Sequence, residues 1–430
     1  MAGTLSTLAN VAARQIMHSE IQTAFKEDSE ILSWIGAEEM PTGVNVNDRG
    51  VEFVSYVRPN PSGGAFTDGS ALAAAGTPSL VKQTCAFTDY SITGSITGRA
   101  IKLLNDPANI LKGLQPILEW TRTSLKTDLA HYVFGDGKGI KAIRNATAAV
   151  GTTLEFYTTV LGGSTYGTRL ILNGARYNFI NPATGAIRAG GGTSVCVATV
   201  RSGTAVEFDA IPNDTADGDY LVREGSYNAC MRGFGYSITN NALSFFGVSR
   251  GDYPELNSNV VDAGALPMSQ SLARRMDYVM QVRRANKKPV SIITGTPQLQ
   301  ALEEVYHPLV RVTNDDRVGK IGFEGFTIGG KDVMRDQWCP DDKMYYVDKS
   351  SWMPLNLHNV EPWTGPDGNV FYPEPQISAT GTAGTGVYKD NWLFGYVVRQ
   401  DLFCFSARDN GVTQNLGLAD EIVRPYSVGR

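Results

Sequence analysis

Charged side chains are scarce in this sequence. They make up 19% of its 430 residues, against roughly 25% in ordinary soluble proteins. Hydrophobic residues make up 42%, which is enough to build a large core across two or three domains. A long chain with so few charges is typical of proteins that cover much of their surface with partners. The composition therefore favours a large assembly over a free monomer.

An excess of positive charge and long apolar runs are also missing. The net charge is -5, which argues against tight, sequence-specific nucleic-acid binding. This charge is compatible with a protein shell that encloses nucleic acid, because the inner wall of such a shell should not bind its contents tightly. No run approaches the roughly 18 apolar residues of a membrane span. The first residues lack a basic start followed by an apolar core, so we expect no export signal.

The sequence has few residues of the kinds that carry catalysis. Its four histidines are far apart, and it contains neither H-E-x-x-H nor Cys-x-x-Cys, so we predict no catalytic residue, metal or cofactor. The run GDGKG at 135–139 lacks the spacing of a phosphate loop and follows a helix, which favours a plain helix stop. Asp214, Asp217 and Asp219 fit a cation site or, as the favoured interpretation, a solvated turn. The five scattered cysteines suit reduced thiols in a cytosol, and Cys196 and Cys230 suit small core positions.

The clearest helix lies between residues 105 and 139. Asp106 and Pro107 form a favourable helix start, Pro116 should kink or split the helix, and Gly135 should end it. Apolar or small residues then recur at helical spacing, which predicts one buried face. These residues are Leu114, Leu118, Thr121, Leu125, Leu129 and Tyr132.

A long two-stranded excursion precedes this helix. Residues 51–57 and 79–87 are strand-like, and the glycine-rich stretch 62–70 between them is typical of a tip. An isolated hairpin is only marginally stable in water, so we expect this one to lie on a neighbour. Residues 1–40 resemble an arm that also needs a surface to dock on.

Residues 146–240 differ in character from the rest of the chain. Five short runs, TLEFYTTV, TRLILNGA, TSVCVATV, TAVEFDAI and DYLVREGS, are separated by turn sequences. Short strands at regular spacing predict a small β-barrel or sandwich. We interpret this block as a separate insertion.

Mixed α/β character returns after residue 247. The pattern predicts a helix over 266–288, a buried strand over 289–295, a helix over 296–306, a hairpin over 322–336 and a strand over 344–348. The last 80 or so residues should be mostly strand and loop. Asp315, Asp316 and Arg317 form a charged cluster that fits either a solvated face or an inter-subunit ion pair.

Four stretches resemble the tailed-bacteriophage major capsid proteins of the Hong Kong 97-type fold. They are DLAHYVFGDGKGI (128–140), FFGVSRGDYPELNSNVV (245–261), FTIGGKDVMRD (326–336) and CPDDKMYYVDKSSW (339–352). The order of arm, excursion, long helix and mixed α/β region resembles this family as well.

The resemblance implies an α+β phage major capsid fold with a β-rich insertion domain. Its parts would be an N-terminal arm (1–45), an extended loop called the E-loop (46–90), a peripheral domain with the long helix as its spine (91–145), the β-barrel-like insertion domain (146–240), the axial domain with the return to the peripheral domain (241–340), and the C-terminal strands of both domains (341–430).

The implied function is a structural shell protein without enzymatic activity. Identical copies would form hexamers and pentamers of an icosahedral shell around double-stranded DNA, assembled in the host cytoplasm and found in the virion capsid. Implied partners are other copies, a separate scaffolding protein, a portal protein, DNA bound without sequence specificity and a decoration protein, but no membrane. An encapsulin-type cellular compartment is the alternative, and a β-rich hydrolase is the rival from another class.

Inter-subunit contacts are expected at the E-loop and at the charged cluster. The candidates are Arg58, Phe66, Asp68, Asp315, Asp316 and Arg317. Some shells of this family join an E-loop lysine covalently to a neighbour. Residues 50–81 contain no lysine, and Lys82 lies on the return strand, so we expect non-covalent contacts only.

Overall fold

The computed structural model describes most of the chain in several stretches. These are residues 30–35, 44–47, 50–63, 76–97, 119, 121, 123–145, 152–156, 158–159, 167–283, 291–306, 327–328, 331–363, 372–377 and 383–417.

Strands predominate among the described residues. In chain order they are β1 (Val44–Asn47), β2 (Gly50–Arg58), β3 (Ser79–Ala86), β4 (Thr88–Thr97), β5 (Ile140–Ile143), β6 (Thr153–Glu155), β7 (Thr158–Thr159), β8 (Arg176–Ile180), β9 (Cys196–Val200), β10 (Ala205–Phe208), β11 (Tyr220–Arg223), β12 (Ser244–Phe245), β13 (Val248–Ser249), β14 (Asn259–Asp262), β15 (Ser291–Thr294), β16 (Thr327–Ile328), β17 (Lys331–Arg335), β18 (Met344–Val347), β19 (Trp352–Pro362), β20 (Tyr372–Ile377), β21 (Ala383–Cys404) and β22 (Gly411–Gln414).

The described helices are short or of moderate length. They are α1 (Glu30–Ile35), α2 (residues 123–132), α3 (Phe234–Ser237), α4 (Gln270–Arg283) and α5 (Thr296–Tyr306). Single 3-10 turns lie at Gly190–Gly192, Pro254–Leu256, Lys349–Ser351 and Ala407–Asp409.

The chain divides into two compact units, each built from several segments. The first comprises residues 1–37, 87–131 and 354–401, and the second comprises 38–86, 132–353 and 402–430.

In the first unit, β4 and β21 pair antiparallel along their length, from Thr88 opposite Gln400 to Thr97 opposite Asn391. Side chains in β4 alternate: Tyr90 and Ile96 are buried on one face, whereas the alternate residues Ser91, Thr93 and Ser95 are exposed on the other. The Tyr90 hydroxyl donates to Asp128 Oδ2 across 2.7 Å. This bond ties the strand to helix α2.

Helix α2 confirms the C-terminal part of the predicted long helix. Leu125, Leu129 and Tyr132 are all buried, as their spacing predicted, and the Gly135 amide donates to the Tyr132 carbonyl across 2.9 Å where the helix ends. The predicted start and Pro116 lie outside the described residues. The following GDGKG run forms a turn, with φ of 87° at Gly137 and 71° at Gly139, and Asp136 Oδ1 accepts from the Lys138 amide.

In the second unit, a seven-stranded antiparallel sheet holds most of the predicted insertion. Its strand order is β6-β10-β9-β8-β11-β5-β7. The two edge strands, β6 and β7, are separated along the chain only by residues 156–157. Because so short a segment joins opposite edges of the sheet, the edges lie close together and the sheet is curled. Its apolar core comprises Ala142, Leu154, Phe156, Ile171, Tyr177, Phe179, Cys196, Ala198, Val206, Phe208 and Leu221.

Two details of this sheet correct the sequence prediction. Strand β5 belongs to it, so the sheet begins before residue 146. The run TRLILNGA at 168–175 is a turn, and the strand is β8, directly after it. Asn173 and Gly174 explain why the strand begins later than predicted. Asn173 Oδ1 accepts a hydrogen bond from the Val200 amide across 2.5 Å, and Gly174 has a φ of 73°.

A six-stranded mixed sheet forms the α/β part of the second unit. Its order is β14-β22-β18-β15-β17-β16, with β15 parallel to β17 after a crossover through α5. The predicted α5, the β16–β17 hairpin and the buried strands β15 and β18 are confirmed. Helix α4 is shorter than predicted among the described residues. The core comprises Val261, Ala263, Met268, Leu272, Ala273, Met276, Met280, Ile292, Leu302, Ile328, Met344, Tyr346 and Leu416.

Candidate assembly surfaces

The predicted E-loop hairpin is present as a three-stranded sheet in the second unit. Strands β2 and β3 pair antiparallel from Gly50 opposite Ala86 to Arg58 opposite Ser79, and β1 pairs with the other edge of β2. The predicted strands are confirmed. The two segments stay adjacent past Arg58, because Gly76 lies against Asn60 and Pro61.

The two faces of this hairpin differ in burial. Val51, Ser55 and Cys85 on the inner face are each less than a tenth exposed, whereas Val54 and Leu80 on the outer face are 47% and 51% exposed. On the same outer face Lys82 Nζ lies 2.8 Å from Glu52 Oε2. The outer face therefore presents apolar side chains beside an ion pair to whatever lies against it.

The inner face of the hairpin packs against a cluster of aromatic rings. The Phe53 ring meets Phe405 edge to face at 5.0 Å between centroids, and Phe403 lies 4.6 Å from Phe246. Edge-to-face pairs add about 0.5–1.5 kcal/mol to the gain from area burial. The base of the hairpin is consequently anchored in its own subunit.

Two polar contacts fix the end of β3. The Thr84 amide donates to the Phe246 carbonyl across 2.9 Å. Arg232 Nη2 donates to the Ala86 carbonyl across 2.5 Å, and its guanidinium lies 5.4 Å from the centre of the Phe246 ring. Phe246 and Gly247 form the two-residue turn between β12 and β13, both with positive φ.

Arg58 makes contacts within its own chain. Its Nε donates to Glu255 Oε1 across 2.7 Å and its Nη2 to the Asp252 carbonyl across 3.1 Å. Its guanidinium also lies 5.5 Å from the centre of the Tyr253 ring. The hydrogen bond to Glu255 raises the pKa of Arg58 and, in return, lowers the pKa of the Glu255 carboxyl. The Arg58 side chain is still 49% exposed, so its contact with a neighbouring subunit stays a prediction.

The other predicted contact residues lie outside the described part of the chain. They are Phe66, Asp68, Asp315, Asp316 and Arg317.

A cavity of about 220 Å³ lies under the hairpin beside Arg58. Its residues come from β2, the 3-10 turn at Pro254–Leu256 and the chain around Ala407. They are Ser55, Val57, Glu255, Leu256, Phe405, Ser406, Ala407, Arg408 and Asp409. Ser55 Oγ and Glu255 Oε2 are buried there with no hydrogen-bond partner among the described residues.

Two of the three aspartates considered for a cation are bound by groups of the protein itself. Asp219 is fully buried and accepts two hydrogen bonds from Arg188, from Nε across 3.0 Å and from Nη2 across 2.8 Å. Asp214 Oδ1 accepts from the Gly190 amide across 2.7 Å. The solvated turn predicted here is wrong for Asp219, whose negative charge is neutralised by a partner 31 residues away.

No three metal-ligating side chains gather anywhere in the described stretches. The five cysteines are buried and form no disulfide bond, and burial raises the pKa of Cys196 and of Cys404 to about 12. Both thiols therefore stay protonated at neutral pH. None of the helices described has the length and apolarity to cross a membrane.

Sequence reasoning missed the residues that hold the hairpin. Glu255 lies 197 residues from Arg58 along the chain, and Arg232 lies 146 residues from Ala86. A sequence contains no local signal for such pairs. The sequence did contain one signal for the exposed face of the hairpin. Strict alternation in VEFVSYVR places Val54 on the opposite face from Val51 and Phe53.

No family model and no curated protein matches this chain. Among solved structures, it is similar to the capsid asymmetric unit of cyanophage A-1(L), at 12% identity and a TM-score of 0.50, covering 90% of this chain and 93% of that one. It is also similar to the capsid of the native GTA particle, at 11% identity and a TM-score of 0.45 over 90% and 89% of the two chains, and to Mycobacterium phage Ogopogo, at 12% identity and a TM-score of 0.40 over 89% and 91%.

The cyanophage match extends over nearly the whole of both chains. The chain therefore has the phage major capsid fold of Hong Kong 97 type, and the predicted α+β fold class is confirmed.

Proposed function

We propose that this chain is a major capsid protein. Identical copies form the hexamers and pentamers of an icosahedral shell that encloses double-stranded DNA, and the chain has a structural role without catalysis. The observation that carries this proposal is the similarity of 90% of the chain to a phage capsid subunit.

The hairpin supports the proposal independently. Its base is fixed to the subunit by aromatic packing, while its outer face exposes Val54 and Leu80. Its two segments stay adjacent at least to Asn60 and Gly76. A projecting hairpin with an apolar outer face suits a contact that is completed by another copy.

The partners follow from this role. The chain binds other copies of itself, and a separate scaffolding protein directs their assembly. A portal protein occupies one vertex of the shell, and a decoration protein binds its outer surface. The packaged DNA is held without sequence specificity, in keeping with the net charge of -5. The finished shell is the virion capsid, assembled in the host cytoplasm.

The experiment is a deletion at the hairpin tip. We expect the chain without residues 62–70 to keep the circular dichroism spectrum and melting temperature of the full chain but to lose shells in a sucrose gradient. A matched control deletes residues 183–185 from the exposed turn after β8, which should leave assembly unchanged. A melting temperature that falls together with assembly would place the tip in the subunit's own core.

The contents of the particles distinguish this function from a cellular compartment. Particles from infected or induced cells should contain nuclease-protected double-stranded DNA. Particles that enclose a protein and no DNA would contradict the viral role while leaving the shell intact.

A further inference from the structure

The outer face of helix α4 leaves large apolar side chains uncovered. Tyr278 and Val282, four residues apart and therefore on one side of the helix, are 63% and 86% exposed. Leu266, just before the helix, is 60% exposed. These are three of the eight large apolar side chains that the described residues leave exposed. Such a concentration on one surface is typical of a contact site.

The same face carries positive charge. Arg274 and Arg275 are exposed one turn before Tyr278, and neither has an ion-pair partner in the stretches that the structure describes. The one acidic residue of the helix, Asp277, pairs with Lys331. A surface groove of about 550 Å³ is lined by Gln270, Ser271, Arg274, Arg275, Tyr278 and Val279. This face therefore suits a segment that carries both acidic and apolar side chains.

The last described residue of the chain, Gly417, lies at the start of this face. The Gly417 amide donates to the Leu266 carbonyl across 3.0 Å, and the Gly417 carbonyl accepts from Gln298 Nε2 across 3.1 Å. The preceding Leu416 is buried in the core of the six-stranded sheet. The residues that follow Gly417 therefore start beside Leu266, four residues before α4 begins.

The sequence after Gly417 complements the helix face. Residues 418–423 read LADEIV, so two acidic residues stand against the two arginines. In an extended segment alternate side chains share one face, which groups Leu418, Asp420 and Ile422. That face carries an apolar, an acidic and an apolar side chain, in this order.

The order and the spacing along α4 match those of the segment. Leu266, Arg274 and Tyr278 are apolar, basic and apolar in the same order. From Arg274 to Tyr278 a helix advances about 6 Å, at about 1.5 Å per residue. From Asp420 to Ile422 an extended segment advances about 6.6 Å, at about 3.3 Å per residue. The acidic and the apolar side chain can therefore meet their partners at the same time.

We infer that residues 418–423 pack along the outer face of helix α4 of their own chain, with Asp420 beside Arg274 and Ile422 beside Tyr278. Packing within one chain follows from the fixed position of Gly417, which starts the segment at the helix. The contact covers the apolar side chains and neutralises the arginines, so this face is closed to other copies. The inference is independent of the proposed shell function and holds for the free subunit as well.

The test is a disulfide between the segment and the helix in the full chain. Tyr278→Cys is combined with Ile422→Cys, and equal amounts of 14N- and 15N-labelled subunits are mixed before oxidation with diamide. The natural cysteines are buried, which leaves the new pair to react. We expect mass spectrometry to find linked peptides that join positions 278 and 422 and contain one label. The control pairs Ile422→Cys with Ala183→Cys on an exposed turn and should form far less disulfide.

Two results overturn the inference while leaving the proposed function intact. A yield of linked peptides as low as that of the control means that the segment does not lie on α4. Linked peptides that contain both labels mean that the segment crosses to another copy. Failure of the unmodified chain to assemble would instead contradict the proposed function itself.

A charge exchange tests the pairing of Asp420 with Arg274. Added to the cysteine pair, Arg274→Glu should slow disulfide formation about threefold, because exposed opposite charges attract weakly and like charges repel. Asp420→Arg added to that variant should restore the rate, since the pair forms again with its charges exchanged. The control Arg335→Glu, at an exposed position of β17, should leave the rate unchanged. A rate that Arg274→Glu does not alter would contradict the pairing.

A measurement on natural side chains keeps the inference testable if the cysteines disturb folding. Tetranitromethane nitrates accessible tyrosines, so the packed segment should protect Tyr278 in the full chain. That protection should be lost in a chain that stops at residue 417. Tyr227 on the curled sheet, half-buried, is the internal reference and should react equally in both chains. Equal rates at Tyr278 would show that the segment leaves α4 uncovered.

Discussion

The Thr84 amide donates to the Phe246 carbonyl across 2.9 Å, and Phe246 makes this contact from a φ of 46°. Positive φ is rare for a bulky side chain and persists where surrounding packing determines it. Here the ring is buried against Phe403 and Phe245. The turn therefore keeps a strained backbone conformation in which Phe246 makes the contact that holds the base of the E-loop hairpin.

Alanine at Gly247 should loosen this turn. Gly247 has a φ of 88°, and an L side chain there is disfavoured by about 1–2 kcal/mol. We expect Gly247→Ala to lower the free energy of unfolding by about that amount, measured by denaturant titration. Gly251→Ala nearby, where φ lies outside the positive region, should stay within about 0.5 kcal/mol. Equal effects of the two substitutions would mean that the turn is not strained.

The Arg58–Glu255 contact should depend on pH. The pKa of Glu255 is lowered in the folded chain, so its ionised form stabilises the fold above its unfolded pKa of about 4.3, and this contribution is lost as pH falls through the folded pKa. We expect Glu255→Gln to be less stable than the original chain at pH 7. The difference should shrink below about pH 4 and in high salt. A difference that stays constant from pH 7 to pH 3 would assign the effect to packing.

The sequence predicted the elements whose patterns are long and strict. Alternation from Gly50 to Arg58 and the helical spacing of Leu125, Leu129 and Tyr132 each mark one buried face. Thr296–Pro297 at the start of α5 is a local start signal that the structure confirms.

Elements defined by distant partners could not be predicted in this way. Strand β5 has four residues, too few for a recognisable period, and it is held in place by pairing with β11 some 80 residues later. The shifted strand β8 depends on Asn173, which bonds the Val200 amide. Arg58 was identified as a contact residue, but its partner Glu255 becomes adjacent only in the fold.

The curled sheet should fold alone, but with boundaries that differ from those predicted. Residues 138–226 contain every strand of the sheet. Residues 146–240 lack β5 and expose Phe234, which packs on Trp352 at 4.7 Å between ring centroids in the full chain. We expect the first fragment to be monomeric with a cooperative melt and the second to be unstable or aggregated. The opposite ranking, measured by circular dichroism, would restore the boundary at residue 146.

Mature particles should contain no covalent links between subunits. Residues 50–81 have no lysine, and Lys82 is ion-paired with Glu52 across 2.8 Å on the outer face. Particles boiled in detergent with reductant should therefore run as one band near 46.5 kDa. A ladder of pentamer- and hexamer-sized bands would show that a lysine reaches a neighbour, with Lys82 the first to replace by arginine.

Electron cryomicroscopy of the particles tests the central claim most directly. The chain is expressed alone and together with the proposed scaffolding protein, and the products are imaged without further selection. The account predicts closed icosahedral shells in which this chain forms rings of five and six copies. A monodisperse species of 46.5 kDa at high concentration, with and without the scaffolding protein, would contradict it.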